Sequence, residues 1–168
     1  SVENRLLALS SSHATSAAVV ALRPRTGEVL AYLGNADYGN ESSSGAIDMA
    51  ASPRQPGSAL KPFAYQQAVM RGIITPATVL ADLPSRFESG REGEAYVPRN
   101  YDLRYHGPVT VRDALGNSLN IPAVTILSRI GLSDFFGHLK RFGLVFDQPP
   151  SHYGLSIVLG GGEVTLLD

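Results

Sequence analysis

The stretch Gln55-Pro-Gly-Ser-Ala-Leu-Lys-Pro-Phe63 decides how this 168-residue chain is read, because it sets Ser58 three residues before Lys61 at the start of a predicted helix. From Ser58 the apolar positions Leu60, Ala64, Ala68 and Val69, closed by Gly72, predict about four helical turns. Pro62 dates the start of that helix. Proline has no N–H and clashes with the carbonyl four residues back, so it is tolerated only near a helix start, where the first N–H groups lack internal partners anyway. Residues three apart on a helix share a face, so Ser58 and Lys61 can meet.

Two readings of that pair stand side by side. Serines near helix starts are common caps. Alternatively, a neutral lysine amine within reach takes the serine proton and turns the hydroxyl into a nucleophile. The positive end of the helix favours a developing alkoxide and an uncharged lysine, and the Ser58 N–H can face an acyl oxyanion. Such a lysine has to titrate well below its usual value of about 10.4, which burial or a cationic neighbour can achieve. The chain holds only two lysines, Lys61 and Lys140, and Pro56-Gly57 before the serine suits a tight turn that exposes it.

Composition removes several function classes. Fourteen basic residues against fifteen acidic ones leave a net charge of −1, with no basic field for nucleic acid or an anionic membrane surface. Without cysteine there are no disulfides, thiolate metal sites or thiol catalysis. The four histidines, His13, His106, His138 and His152, have no metal-ligand spacing, so neither metal nor cofactor is expected. No apolar run approaches the ~18 residues of a membrane span. Length and 43% hydrophobic residues predict one core, and the lack of an initial Met together with the apolar ending VTLLD suggests a segment of a longer protein.

Working outward, Ala17–Leu22 and Val29–Leu33 read as a hairpin around the turn Arg23–Glu28. Gly34–Pro56 and Pro76–Gly107 read as long connections, the second carrying Tyr96, Tyr101 and Tyr105. Thr110-Val-Arg-Asp113 has capping-box spacing and opens a helix ending near Gly116 or Asn117. Pro122 opens another to Ile130, and Ser133 is expected to cap a third with Phe135, Phe136, Leu139 and Phe142 facing inward. Between the first two of these helices, Ser118 and Asn120 have side chains free for a site. A hydroxyl there can relay a proton and an amide can pair with a substrate backbone, although a helix C-cap and turn would contain the same residues.

Ser58-Ala-Leu-Lys61 and Ser118-Leu-Asn120 resemble the S-x-x-K and S-x-N motifs of the penicillin-recognising serine acyltransferases. The hairpin VVALRPRTGEVLAYLG, the block RQPGSALKPFAY, the run YVPRNYDLRYHGPVTVRDALGNSLNIPAV and the ending LSIVLGGGEVTLLD resemble the transpeptidase domain of bifunctional (class A) penicillin-binding proteins, C type, in the family order. That resemblance implies an α/β architecture of the α+β type, the β-lactamase/transpeptidase-like fold, with an antiparallel sheet and a helical subdomain. Residues 1–168 would form its N-terminal hairpin and helical portion, and the C-terminal strands would follow Asp168.

The resemblance also implies roles and partners. Ser58 would be the acylated nucleophile, Lys61 its proton acceptor, and Ser118 and Asn120 the second wall of the cleft, with Gly57, Asn100 and Tyr101 as substrate-binding residues. The reaction would be D,D-transpeptidation of peptidoglycan stem peptides, with β-lactams as covalent inhibitors. The parent would be membrane-anchored, with an upstream glycosyltransferase domain, and would act on the outer (periplasmic) face of the bacterial cytoplasmic membrane. The family's K-T-G motif is missing from this chain. Arg25-Thr26-Gly27 lies upstream of Ser58, in the wrong order, and reads as a turn. The hairpin is therefore expected to show an unpaired edge, to be completed by the C-terminal half or a swapped neighbour.

Other classes share parts of this pattern. A common serine β-lactamase needs a glutamate after S-x-N, and none occurs between Glu94 and Glu163; a class built on S-x-V disagrees with Asn120. A D,D-carboxypeptidase uses the same residues as a transpeptidase. A β-lactam sensor or a non-catalytic scaffold is the alternative outside enzymes, and neither serine lies in a G-x-S-x-G elbow.

Overall fold

Around Arg23–Glu28 the two apolar runs pair as read. In the computed structural model, which describes residues 1–40, 45–88 and 95–168, helix α1 (Val2–Ala8) precedes strands β1 (Val19–Leu22) and β2 (Val29–Leu33), which run antiparallel with Val19 opposite Leu33. The Arg23 N–H donates to Glu28 O at 2.8 Å, Gly27 takes φ +70°, and Arg23 pairs with Glu28 at 2.8 Å, so Arg25-Thr26-Gly27 is a turn. Among the described residues this sheet has two strands, and its apolar side chains are open, with Leu30 53% exposed. Helix α1 has no counterpart in the sequence reading.

Where one core was expected, the chain divides into two compact units, residues 1–54 with 164–168, and residues 55–163. Among the described residues the first unit buries one apolar side chain fully, Ala50; the remaining buried apolar residues lie in the second. Within the first unit, Asp48 organises the connection after β2. It accepts from the Tyr32 hydroxyl at 2.7 Å and from the Ala50 and Ala51 N–H groups.

In the second unit a 3₁₀ turn, Gly57–Leu60, leads into α2 (Lys61–Met70). The helix predicted to start at Ser58 thus begins one turn later in its α form. Pro62 explains the change, since the missing N–H removes one rung and falls harmlessly in the first α-helical turn. Pro76–Gly107, read as a loop, contains strands: β3 (Val79–Asp82), β4 (Phe87–Glu88) and β5 (Ala95–Tyr96), with β6 (Gly107–Thr110) beyond them. β3 pairs with β6 and β4 with β5, both antiparallel. Residues 41–44 and 89–94 of the two long connections lie outside the described residues.

Thr110 caps α3 (Val111–Gly116) as its spacing predicts, accepting from the Asp113 N–H at 3.1 Å. Helix α4 (Asn120–Ile130) starts two residues before Pro122, which takes its third position; Asn120 is therefore the first residue of the helix and not part of the break. Apolar nearly all round, α4 is the centre of the unit, with Ile121, Val124, Ile126 and Leu127 fully buried. Gly131, at φ +92°, and not Ser133, precedes α5 (Leu132–Lys140), since the chain must turn sharply after Ile130 and glycine meets that φ without strain. Phe135 and Leu139 face inward, but Phe142 is half-exposed, its ring edge-on to Phe63 at 5.1 Å. A short α6 (Pro150–Tyr153) and a 3₁₀ turn, Gly154–Leu159, end the unit.

Candidate active site

The 3₁₀ turn sets the predicted pair one turn apart along the backbone. Three residues per turn place Ser58 and Lys61 above one another, and the Lys61 N–H donates to Ser58 O. Gly57, at φ +59°, reverses the chain just before the serine, and Ser58 is left exposed. Gly160, at φ +89°, packs its Cα against the Gly57 backbone so closely that a methyl group on it would overlap Gly57 O, N and Cα. Gly160 therefore shapes the turn that presents Ser58, while Gly161 packs against Ser156 and Gly162 against Phe146 and Ile157.

Lys61 points the other way, into the protein, and is 2% exposed. Its Nζ donates to Ser118 O at 2.6 Å, to Ser118 Oγ at 3.0 Å and to Asn120 Oδ1 at 2.6 Å. Three ammonium hydrogens meet three oxygens. Burial pulls the Lys61 pKa down from 10.5 to about 8, which brings the neutral amine within range of neutral pH. Once deprotonated, the amine keeps two donors and gains a lone pair, and Ser118 Oγ is the one partner of the three able to donate to it. A proton path from Lys61 to Ser118 follows.

Ser118 reaches this position through an unusual helix end. Its N–H donates to Leu115 O at 3.0 Å and the Leu119 N–H to Ala114 O at 2.9 Å, the paired bonds of a Schellman motif closing α3. The position between them is normally glycine because it is left-handed; Ser118 adopts φ +53° there. Buried Leu119 and Ala114 supply the accompanying apolar contact. A strained serine is held because its carbonyl and hydroxyl are both engaged by Lys61.

Asn120 is fixed at three points. Its Nδ2 donates to Arg99 O at 2.6 Å and its backbone N–H to Asn100 Oδ1 at 2.8 Å, leaving Oδ1 to Lys61. Asn100 is 3% exposed, and its amide hydrogens go to Asp82 (2.9 and 2.8 Å) and Arg104 O (2.8 Å), so its polar atoms are all engaged within the protein. Tyr101 is fully exposed and lines a cleft of about 360 Å³ together with Asn100, Asp102, His106, Asn117 and Ser118. Among the described residues the Ser58 hydroxyl is not one of the hydrogen-bond partners of Lys61 Nζ, which are Ser118 O, Ser118 Oγ and Asn120 Oδ1; catalytic contacts often tighten only with substrate bound.

Two members of this network escaped the sequence reading. Asp82 is fully buried at the end of β3, and His106 bridges it at 2.7 Å to Asp102 at 3.2 Å. The Asp82 hydrogen bond raises the His106 pKa above its ordinary 6.5. The alternation of Leu80 and Asp82 on the inward side of β3 was the available signal, hidden because β6, which pairs with it, comes 25 residues later.

Comparison with known proteins gives the family. The family model described as Penicillin binding protein transpeptidase domain matches residues 17–154. Penicillin-binding protein 1C of Escherichia coli (strain K12) is 40% identical over 141 residues, 83% of this chain and 18% of that protein. Penicillin-binding protein 1A of Neisseria flavescens is 38% identical over 151 residues, 89% of this chain and 18% of that protein. The chain thus spans under a fifth of the length of these curated relatives. Among solved structures, Penicillin-Binding Protein 1A from Haemophilus influenzae superposes with a TM-score of 0.76 at 30% identity, covering 90% of this chain and 22% of that one. The PonA1 protein from Mycobacterium tuberculosis, in complex with penicillin V, has a TM-score of 0.71 at 22% identity over 96% of this chain and 44% of its own, a likeness of fold.

Proposed function

This chain belongs to the family of penicillin-binding protein transpeptidase domains, and from that premise we propose that it carries the nucleophile and base of a peptidoglycan D,D-transpeptidase. The observation that carries the reading is the buried Lys61 amine, one 3₁₀ turn from exposed Ser58 and bonded to both Ser118 and Asn120. Ser58 Oγ attacks the carbonyl of the penultimate D-alanine of a stem peptide while neutral Lys61 takes its proton. The C–N bond then breaks, and the proton passes through Ser118 to the departing D-alanine amine. An amine of a neighbouring strand next attacks the Ser58 ester, forms the cross-link and returns the hydroxyl its proton.

A β-lactam meets the same serine. Its ring opens without releasing a leaving group, so the acyl group stays attached. On this reading the parent protein acts on peptidoglycan at the outer face of the cytoplasmic membrane, anchored there, with a glycosyltransferase domain upstream. The experiment is incubation of the intact protein with a labelled penicillin, followed by peptide mass spectrometry. A stable adduct on the peptide containing Ser58, lost in Ser58→Ala, is expected; no adduct, or one on another residue, overturns the proposal.

A further inference from the structure

A carboxylate that is 0% exposed and lies outside the two motifs calls for a reason, and Asp82 is that group. Its Oδ1 accepts from Asn100 Nδ2, and its Oδ2 from Asn100 Nδ2, the His106 N–H at 2.9 Å and His106 Nδ1 at 2.7 Å. The register of the small sheet puts these groups together, since Asp82 stands opposite Gly107, the residue after His106.

The consequence passes through Asn100. An amide has one acceptor end and one donor end, and a half-turn exchanges them. Asp82 and Arg104 O offer only acceptors, so the NH₂ must face them and the oxygen must face Asn120. The N–H it receives is one of the orphan donors at the start of α4, where Leu119, at the capping position, has no side chain able to take it. Arg99 O holds the Asn120 side chain at the same time. The dipeptide Arg99-Asn100 therefore grips Asn120 at backbone and side chain, and one remaining atom, Oδ1, is aimed at Lys61.

We infer that Asp82 and Asn100 are positioning residues of the acyl-transfer site: the buried carboxylate sets the direction of the Asn100 amide, which holds Asn120 in place against Lys61. This rests on the function proposed above. Asp82 is fully buried, and the Asn100 amide is taken up by Asp82, Arg104 O and the Asn120 N–H, so each acts through the next; a displacement of about 1 Å at a catalytic group can cost on the order of 100-fold in rate.

The test is the second-order rate of Ser58 acylation by a fluorescent penicillin in the intact protein, normalised to the folded fraction, with thermal stability measured in parallel. Asn100→Ala is expected to acylate about 10- to 100-fold more slowly. Asp82→Asn and Asn100→Asp alone set like groups against each other and are expected to be slow. The exchange Asp82→Asn with Asn100→Asp restores a donor–acceptor pair between the two positions and an acceptor for the Asn120 N–H, while Arg104 O loses its donor, so acylation should recover to within about tenfold of wild type. Should the single variants not fold, the exchanged pair decides alone: folded and acylated within about tenfold of wild type supports the inference, folded and slower than that overturns it. Asn100→Ala that loses thermal stability but acylates normally also overturns it, and leaves the proposed function standing. A wild-type protein that is not acylated at Ser58 defeats both.

Discussion

Ser58 and Ser118 both sit at a helix end, yet the chain treats them in opposite ways. At Ser58 the left-handed conformation falls on glycines, Gly57 and Gly160, and the serine itself is exposed and unstrained. At Ser118 the serine takes the left-handed position itself, and its carbonyl and hydroxyl are both bonded to Lys61. The difference teaches where the molecule spends strain. A nucleophile needs a free hydroxyl on a firm turn, whereas a group that orients the base needs its backbone and side chain aimed at one atom.

The largest test of that contrast removes the atom both serines serve. Lys61→Ala should lower the rate of penicillin acylation by about 10²–10⁴-fold, read by gel fluorescence, because general-base catalysis contributes on that order. Acylation should be about as sensitive to pH. The base must be neutral, so the rate is expected to rise about tenfold per unit below about 8 and to level off above it, following the Lys61 titration. A flat profile between pH 6 and 8 would remove Lys61 as the base.

Gly160→Ala probes the glycine side of the comparison. Its new methyl must displace Gly57, and about 1–3 kcal/mol of stability together with roughly tenfold or more of acylation should be lost; an unchanged acylation rate would detach Gly160 from the Ser58 turn. Ser118→Gly probes the other side and should separate its two roles. Glycine relieves the left-handed strain but leaves one buried Lys61 hydrogen without its acceptor, so the two should offset to within about 1 kcal/mol by denaturant unfolding, while acylation slows for want of the hydroxyl.

The smallest effect is expected at His106. Its folded pKa lies above 6.5, so its contribution to stability is complete below that pH and is lost as pH rises through the folded value. His106→Gln should remove that part of the slope of melting temperature against pH. An identical slope in the variant would show that the bridge to Asp82 carries no titrating charge.

The motifs were legible because they depend on local spacing. A serine and a lysine three apart fall one helical turn from each other, and Thr110 with Asp113 makes a capping box wherever that spacing opens a helix. What escaped were partners distant along the chain. The four residues of β3 gain their meaning only opposite β6, and nothing beside Asn100 in the sequence announces its bonds to Asp82 and to the Asn120 N–H. Asn120 itself was placed in a break; the cap that starts α4 at that residue comes from 20 positions upstream.

By itself, the sequence determined the hairpin, the capped start of α3 and the spacing of Ser58 from Lys61, since turn chemistry, capping and i to i+3 spacing act within a few residues. The tertiary structure alone decided that Lys61 is buried against Ser118 and Asn120, that Ser118 occupies a glycine position, and that Asp82 and Asn100 stand behind them. The physical reason is that burial and amide orientation depend on what packs across 20 to 60 residues of chain, and no local pattern encodes which oxygen a buried hydrogen will find.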